Sequence, residues 1–255
     1  INFEHLEELL DENTLLITLA LANNEIGTIH DLKKISDLAR EKDVLVHADA
    51  SQALGKIEVD VSELGIDLLS LSAHKVYGPK GVGALFIKEK RPKIKLDALI
   101  HGGAHEKGLR SGTLNVPAIV GFGKACEILA EDNLKELSQL FLEELKKKIP
   151  DISLNGPELE NRLPGNLNLR IKGIDNAVLL ADTNAKIAFS TSSACSSMNK
   201  KGSHVLEAIG LNKEEQKESI RIGIGRYNTK EEILEAVEIL SDKMRLPRSA
   251  PPPSQ

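Results

Sequence analysis

An aspartate and a lysine, each placed after an apolar run, are the residues of this 255-residue chain best suited to chemistry. Asp49 closes the run Val44–Asp49, and Lys75 follows the run Leu68–Ser72. Ligands of open α/β sheets bind where strands end, so both side chains could point into one crevice. Asp49 could instead cap a helix, and Lys75 could be a solvated loop lysine rather than one that forms a Schiff base. A carboxylate that closes a buried strand predicts a cationic partner.

A lysine combined with a carboxylate is what pyridoxal 5'-phosphate requires. The lysine holds the cofactor covalently, and the carboxylate keeps the pyridine nitrogen protonated so that the ring accepts electrons. Glycines between Tyr77 and Gly83 would let the backbone pass close to such a ring. This pairing makes Lys75 and Asp49 the first candidates for a cofactor site.

The two cysteines differ in their surroundings. Cys195 lies among small polar residues in Ser190–Ser197, which predicts a mobile, exposed loop, whereas Cys126 falls on the apolar side of a helix that follows Pro117. Two cysteines without metal-ligand spacing indicate a reducing compartment rather than a disulfide framework. His101 and His105 lack a third ligand at metal spacing, so no zinc site is predicted.

Two further stretches carry polar groups at predicted strand ends or in glycine-rich loops. Asn23–Gly27 follows the first predicted strand and by itself is typical of a polar turn with Gly27 at positive φ. The stretch His101–Thr113 offers main-chain N–H groups, Arg110 and hydroxyl groups as an anion site.

Hydrophobic periodicity predicts an α/β fold in two parts. A strand at 14–22, a helix at 31–42 and a strand at 44–49 form a β-α-β unit, which favours a parallel sheet extended by 68–72 and 82–87. Helices follow at 117–128 and 134–149, and Pro150 ends the second. Beyond it, the alternating strands 166–171 and 219–224, with helices at 176–182, 203–209 and 229–244, predict a smaller α+β unit. We therefore predict a large domain over 1–130, a small domain over 131–246 and a disordered tail over 247–255.

Charge and composition exclude several classes of protein. The chain has 33 Lys and Arg against 38 Asp and Glu, a net charge of −5, without a block of like charge. This disfavours nucleic-acid binding and a polybasic membrane patch. The longest apolar stretch, Thr14–Ala22, is far shorter than the roughly 20 residues of a transmembrane helix, and no leader precedes it. The composition predicts a cytoplasmic protein.

The order of these motifs resembles one family over about Ile1–Leu246. The chain is similar to the cysteine desulfurases of the class-V aminotransferase group, which supply sulfur for iron–sulfur cluster assembly. Six motifs in the family's order carry the resemblance: Asn24-Glu-Ile-Gly27, Asp49-Ala-Ser-Gln52, Ser72-Ala-His-Lys75 with Tyr77-Gly-Pro-Lys-Gly81, His101-Gly-Gly with Arg110-Ser-Gly-Thr113, Ser192-Ser-Ala-Cys195, and Ser219-Ile-Arg221. It implies a fold-type-I pyridoxal-phosphate transferase, with an incomplete, mostly parallel large domain and a smaller α+β domain.

The resemblance also implies a role for each matching residue. Lys75 would hold pyridoxal phosphate, Asp49 would contact the pyridine nitrogen, and Asn24 and Gln52 would contact the ring and its phenolic oxygen. The implied phosphate contacts are Ser72, His74 and, across a homodimer interface, Thr113. Arg221 and Asn24 would bind the substrate, and Cys195 would be the nucleophile that takes the sulfur. The resemblance also leaves open a role for Cys195 as a transient ligand of an iron–sulfur cluster. It implies no other metal site.

The position of Arg221 agrees with its implied role. It lies between Ile220 and Ile222 on an alternating strand, so its side chain is predicted on the face opposite the small-domain core. A planar guanidinium suits a bidentate contact with a carboxylate. The alternative is an exposed arginine in a salt bridge.

As a desulfurase, the protein would convert L-cysteine to L-alanine, leave a persulfide on Cys195 and pass the sulfur to a scaffold protein or another acceptor. The alternatives are a catalytically incomplete interaction module, or a related pyridoxal-phosphate lyase such as a selenocysteine lyase. Members of the family begin well before Ile1 and carry there a histidine that stacks on the cofactor. We therefore expect no cysteine turnover by this chain unaided, and an uncovered apolar sheet edge beside Thr14–Ala22. Ala104 replaces a residue that is commonly glycine, a change expected to be minor.

Overall fold

The computed structural model describes residues 1–89, 93–129, 133–191 and 202–245. The chain forms two compact units, one of residues 1–22 with 30–131 and the other of residues 23–29 with 132–255. The predicted domain limits at 130 and 246 stay a prediction, and the short segment 23–29 belongs to the second unit rather than to the first. The predicted tail and the cysteine at position 195 lie outside the described residues.

The first unit is an α/β layer built on a four-stranded sheet. Its sheet order is β1-β2-β3-β4, with β1, β2 and β3 parallel and β4 antiparallel to β3. This confirms the predicted mostly parallel sheet. The elements are α1 (Phe3–Leu9), β1 (Leu16–Ala20), α2 (Leu32–Glu41), β2 (Leu45–Asp49), β3 (Leu68–Ser72), β4 (Gly83–Ile87) and α3 (Val116–Glu127).

Helix α2 shows how local sequence sets an element of this unit. The Asp31 side chain accepts a hydrogen bond from the N–H of Lys34 at 3.0 Å and so caps the first turn. Leu32, Ile35 and Ala39 are fully buried and lie on one face, as helical spacing requires. The predicted helix at 31–42 is therefore confirmed, with its two end residues acting as caps.

Strand β1 departs from its prediction as a buried strand. Leu15 is 76% exposed and Leu16 is 43% exposed, and no residue of β1 is fully buried. The strand lies at one edge of the sheet and pairs only with β2 among the described residues. The apolar sequence of β1 is typical of a strand whose two faces are covered. In the described part of the chain, however, the side chains of β1 stay largely exposed.

The second unit is an antiparallel sheet covered by helices, which confirms the predicted α+β architecture. Its sheet order is β5-β6-β8-β7. Leu167 and Leu169 of β6 and Ile220 of β8 are fully buried in its core, together with leucine and phenylalanine side chains of α4. The elements are α4 (Leu134–Lys148), β5 (Ile152–Leu154), β6 (Asn166–Ile171), α5 (Asn176–Thr183), β7 (Ser190–Thr191), α6 (His204–Ala208), α7 (Lys213–Lys217), β8 (Ser219–Gly223) and α8 (Lys230–Arg245). None of the helices in the described ranges combines the length and the apolar content needed to span a membrane.

Candidate active site

The candidate site in the first unit lies where β2 and β3 end. The two strands are parallel neighbours, with Asp49 in register with Ser70, and a 3₁₀ turn at Ala73–Val76 directly follows β3. The expectation that Asp49 and Lys75 follow neighbouring strands is therefore confirmed. Because carboxyl ends of parallel strands meet at one edge of a sheet, both residues emerge at that edge.

The environment of Asp49 corrects one expectation. The side chain is exposed rather than buried, and one carboxylate oxygen, Oδ1, accepts a hydrogen bond from the N–H of Ser51 at 2.8 Å. Within the described ranges Asp49 forms no ion pair, and an exposed carboxylate does not require one, since water can hydrate it. The residues that follow form turns rather than a helix, with Ala50 and Ala53 fully buried beneath them, so Asp49 is not a helix cap either.

Lys75 is presented by a turn that is fixed on its inner side. Ala73 is fully buried and Val76 is almost so, which leaves His74 and Lys75 between them exposed. The turn closes through the N–H of Gly78, which donates to the oxygen of Ala73 at 2.9 Å. A Cβ atom at Gly78 would lie 2.9 Å from that same oxygen, so this position requires glycine for close backbone approach.

Other predicted cofactor contacts belong to the same unit. The Ser72 hydroxyl and Nδ1 of His74 are hydrogen-bonded at 2.8 Å, which holds the ring beside the end of β3. Gln52 is half-buried in the turns after β2, and Thr113 is exposed ahead of α3. An exposed ammonium, an exposed carboxylate and a hydroxyl–imidazole pair at one sheet edge are polar groups whose chemistry fits the aldehyde, the protonated pyridine nitrogen and the phosphate of pyridoxal phosphate.

His47 is a polar residue that sequence analysis did not single out. Its Nδ1 is hydrogen-bonded to the Thr18 hydroxyl at 2.7 Å and its Nε2 to the Ser70 hydroxyl at 2.8 Å, which joins β1, β2 and β3. Strand alternation places His47 on the same face as Asp49, two residues before it. The period-two pattern of β2 could have located this residue, but its two partners depend on the strand pairing.

Asn24 belongs to the second unit, in a tight turn that follows β1. The Asn23 side-chain oxygen accepts from the N–H groups of Glu25 and Ile26 at 2.9 and 3.0 Å, and Gly27 has φ of +69°. The predicted polar turn with a left-handed glycine is confirmed. A Cβ atom at Gly27 would lie 2.7 Å from the Arg162 side chain, which adds a steric reason for glycine.

Arg221 lies on β8 as predicted, with its two isoleucine neighbours buried in the core and its own side chain half-buried on the other face. Nε donates to the Ser190 hydroxyl at 3.1 Å, and Nη1 donates to the main-chain oxygen of Asn24 at 3.1 Å. Neither partner is acidic, so the alternative of a salt-bridged arginine is not seen among the described residues. These two contacts orient the guanidinium.

Arg162 is a buried residue that contacts the turn containing Asn24. Sequence analysis did not predict this role. Arg162 is 2% exposed, and it donates to the main-chain oxygens of Pro157 and Asn155 at 2.9 and 2.5 Å. Burial lowers the pKa of Arg162 to about 10, against the opposing effect of Glu158. Backbone bridging between Arg162 and Thr28 then ties the turn to this buried cation. Its partners are main-chain oxygens five and seven residues before it, and a main-chain contact of this kind leaves no signal in the residue types.

The remaining candidates divide as follows. Cys126 of α3 is half-buried against an apolar cluster, and burial raises the pKa of its thiol, which agrees with the predicted core position. In the described ranges no group of three or more His, Cys, Asp or Glu side chains is placed to hold a metal ion. Thus Asp49, Gln52, Ser72, His74, Lys75 and Thr113 lie in the first unit, and Asn24 and Arg221 lie in the second.

The chain is similar in sequence to known proteins. The family model "Aminotransferase class-V" matches residues 1–235. A cysteine desulfurase IscS of Ehrlichia chaffeensis is 39% identical over 258 residues, covering 99% of this chain and 62% of that protein. The IscS of Clostridium botulinum strain Hall is 41% identical over 260 residues, covering 99% of this chain and 65% of that protein.

Solved structures give the same result for the fold, and the predicted fold class is confirmed by them. A "NifS-like protein" superposes with a TM-score of 0.85 at 34% identity, covering 96% of this chain and 65% of the other. The NifS-like protein from Rickettsia africae superposes with a TM-score of 0.84 at 31% identity, covering 96% of this chain and 67% of the other. The chain spans 62% and 65% of the length of the two curated relatives named above.

Proposed function

Because the chain belongs to the class-V aminotransferase family, we propose that it forms the larger part of a pyridoxal-phosphate-dependent cysteine desulfurase. In this proposal the enzyme converts L-cysteine to L-alanine and passes the sulfur, as a persulfide on Cys195, to iron–sulfur cluster assembly. The observation that carries it is the emergence of Asp49 and Lys75 from neighbouring parallel strands. Identity of about 40% to proteins named cysteine desulfurase, over nearly the whole chain, supports it.

The residues of the first unit fit the cofactor by their chemistry. Pyridoxal phosphate supplies an electron sink when it is bound. Lys75, exposed on its fixed turn, would attach it, and the second carboxylate oxygen of Asp49, Oδ2, would hold the pyridine nitrogen in its protonated form. Ser72 and His74 would bind the phosphate, and Gln52 would contact the ring or its phenolic oxygen.

Arg221 and Cys195 would act on the substrate. The guanidinium of Arg221, oriented by Asn24 and Ser190, would bind the carboxylate of L-cysteine. The Cys195 thiolate would form an S–S bond with the substrate sulfur as the Cβ–S bond breaks. The electron pair of the broken bond stays with the substrate carbon, which is protonated, so the product is alanine.

A homodimer and a sulfur acceptor complete the proposal. Helix α3 exposes Val116, Ile119 and Val120, an apolar surface suited to a second subunit. Thr113 lies just ahead of this helix and is exposed, so a dimer built there would let it reach the partner's phosphate site. A scaffold protein for iron–sulfur clusters is the proposed acceptor, in the cytoplasm and without nucleic acid or membrane as partner.

Product analysis tests the function. The chain, alone and with the amino-terminal third of a curated relative added, is incubated with pyridoxal phosphate, L-cysteine and dithiothreitol, a thiol that reduces the persulfide and releases its outer sulfur as sulfide, and sulfide and alanine are measured. With the added portion we expect equal amounts of both products, a loss of at least 100-fold in Cys195→Ala and in Lys75→Ala, and little change in the matched variant Cys126→Ala. We expect no turnover by the chain alone. Consumption of L-selenocysteine but not of L-cysteine, or sulfide release that persists in Cys195→Ala, would overturn the proposal.

A further inference from the structure

Glu25 is a buried carboxylate that the proposed chemistry does not use. Its side chain is only 7% exposed, in the turn that also contains Asn24. A buried carboxylate costs free energy unless it is hydrogen-bonded. Glu25 meets this requirement through Ser203, whose hydroxyl donates to Oε2 at 2.5 Å across 178 residues of sequence. Such a distant contact between two buried polar groups calls for an explanation beyond local turn formation.

Ser203 occupies the point at which the chain enters α6. Its hydroxyl oxygen accepts a hydrogen bond from the N–H of Leu206 at 3.1 Å and caps the helix, while its proton is donated to Glu25. One hydroxyl group therefore serves both contacts, which fixes its orientation. Leu206 is fully buried, so the first turn of α6 is held both by this apolar packing and by the contact of Ser203 with Glu25.

The turn that carries Glu25 is itself bound to the sheet. The main-chain oxygen of Glu25 accepts from the Asn168 side chain at 3.1 Å, and that of Asn24 accepts from the Asn166 side chain at 3.3 Å. Both asparagines belong to β6, a strand paired on both sides. Glu25 is thus attached to the rigid centre of the second unit and can serve as a fixed point.

The same turn is linked to the chain on the other side of Cys195. Ser190, in β7, accepts from Arg221, and Arg221 donates to the main-chain oxygen of Asn24. The segment 192–201 contains Cys195. It begins two residues after Ser190 and ends two residues before Ser203, and both of these serines are linked to the turn. Its amino-terminal end is connected through Ser190 and its carboxyl-terminal end through Ser203.

We propose that Glu25 is a positioning residue that fixes, through Ser203, the start of α6, two residues beyond the segment 192–201 that contains Cys195. Cys195 is four residues after Thr191 and eight before Ser203. The anchoring stands without the desulfurase chemistry, and only its consequence for sulfur transfer rests on the proposed function.

The test compares variants that keep or lose the acceptor at position 25. Amide exchange is measured for peptides covering 202–209, and iodoacetamide labelling of Cys195 is followed by peptide mapping, without cofactor or cysteine. Glu25→Ala leaves the Ser203 cap in place but removes its partner. We expect Glu25→Ala to raise amide exchange at the start of α6 by about tenfold and labelling of Cys195 by at least threefold. Glu25→Gln retains an acceptor oxygen and should stay within twofold of the unchanged chain.

Ser203 provides the second arm of the same experiment. Ser203→Ala should reproduce the effect of Glu25→Ala, and Ser203→Thr, which retains the hydroxyl, should restore the original rates. Asn212→Ala is the matched control, because it removes the side-chain cap of α7 without contacting Glu25. This control should leave Cys195 labelling unchanged.

Several outcomes would overturn the anchoring. Both rates could stay unchanged in Glu25→Ala and Ser203→Ala, or Glu25→Gln could behave like Glu25→Ala. Labelling of Cys126 reports global opening of the chain. If Cys126 labelling rises in Glu25→Ala by the same factor as Cys195 labelling, the comparison of Ser203→Thr with Ser203→Ala decides. Equal rates of amide exchange and of Cys195 labelling in these two variants would reject the proposal. Because thiol labelling needs no turnover, a failed anchor is distinguishable from a failed desulfurase assignment.

Discussion

Arg221 donates a hydrogen bond from Nη1 to the main-chain oxygen of Asn24 at 3.1 Å, which joins two residues that the sequence resemblance assigned to substrate binding. The contact is made by the backbone of Asn24, so the asparagine side chain stays exposed. The Ser190 hydroxyl accepts a hydrogen bond from Nε of the same guanidinium. The arginine is therefore oriented before any substrate carboxylate arrives, which lowers the entropic cost of binding one.

Replacing Arg221 by lysine should weaken substrate binding more than it slows turnover. A lysine ammonium cannot reproduce the fork geometry, and a lost charged hydrogen bond is worth about 1.5–3 kcal/mol. We expect KM for L-cysteine to rise about 10- to 100-fold in Arg221→Lys, with a smaller change in kcat, in the holoenzyme. Arg170→Lys is the control, since Arg170 pairs with Glu215 and Glu218 instead. An unchanged KM in Arg221→Lys would exclude a carboxylate contact.

Lys75 should be the residue that carries the cofactor. It is exposed on a turn at the end of β3, next to the strand that ends in Asp49. Borohydride reduction of the cofactor-bound protein, followed by peptide mapping, should place the phosphopyridoxyl label on Lys75. Lys80, an exposed lysine in the following loop, is the internal comparison. A label on Lys80 would show that the assignment is wrong.

Ala104 should be a site of backbone strain. Its φ is +56°, in the left-handed region where a non-glycine residue costs about 1–2 kcal/mol. Glycine removes that strain, but it adds about 0.4–1 kcal/mol of unfolded-chain entropy. We therefore expect Ala104→Gly to raise the free energy of unfolding by about 0.5–1 kcal/mol in urea titrations.

Ala98→Gly is the matched control for this change. Ala98 lies in a nearby loop and is not among the residues with positive φ, so glycine there should be neutral or destabilising. Equal effects of Ala98→Gly and Ala104→Gly would contradict the strain. The sequence-based expectation that alanine at position 104 is a minor change holds only if the measured gain is small.

The open edge of the first sheet should promote association of this chain. Leu16 of β1 is 43% exposed, and β1 pairs on one side only within the described residues. We expect concentration-dependent species larger than a dimer in light scattering, and their reduction in Leu16→Lys. Leu9→Lys changes an exposed leucine on α1 and should have no such effect. Equal association of Leu16→Lys and the unchanged chain would show that β1 is not the contact.

Glu218 should contribute a pH-dependent part of the stability. The N–H of Gly173 donates to one of its carboxylate oxygens at 2.8 Å and Arg170 to the other at 3.0 Å, and these contacts lower the pKa of Glu218. Since the folded pKa lies below the unfolded one, the contribution is present above the unfolded pKa of about 4.5 and is lost as the pH falls through the folded value.

Glu218→Gln should therefore be less stable than the unchanged chain at pH 7, by up to about 1 kcal/mol for a pair this close to solvent. The difference should shrink as the pH falls below 4.5, which urea titrations at several pH values would measure. Glu214→Gln, on the exposed side of α7, provides the comparison. If the difference in the free energy of unfolding between Glu218→Gln and the unchanged chain stays constant with pH, ionisation of the Glu218 carboxylate does not cause it.

Local sequence determined the elements whose signal is periodic. Helix α2 carries its cap at Asp31 and its apolar face at helical spacing, and β6 and β8 alternate strictly, so each could be predicted without knowledge of its neighbours. The apolar runs that precede them likewise predicted Asp49 and Lys75 at strand ends. These features depend on residues within one or two turns or within a single strand.

Tertiary structure alone decided which side chains are covered and which distant groups meet. The exposure of Leu16 depends on what lies beside β1, and the burial of Arg162 depends on main-chain oxygens contributed by a loop. The contact of Glu25 with Ser203 joins positions 178 residues apart. Burial and long-range hydrogen bonds arise from how the strands pair and how the chain returns to them, and a linear pattern of residue types carries no record of that pairing.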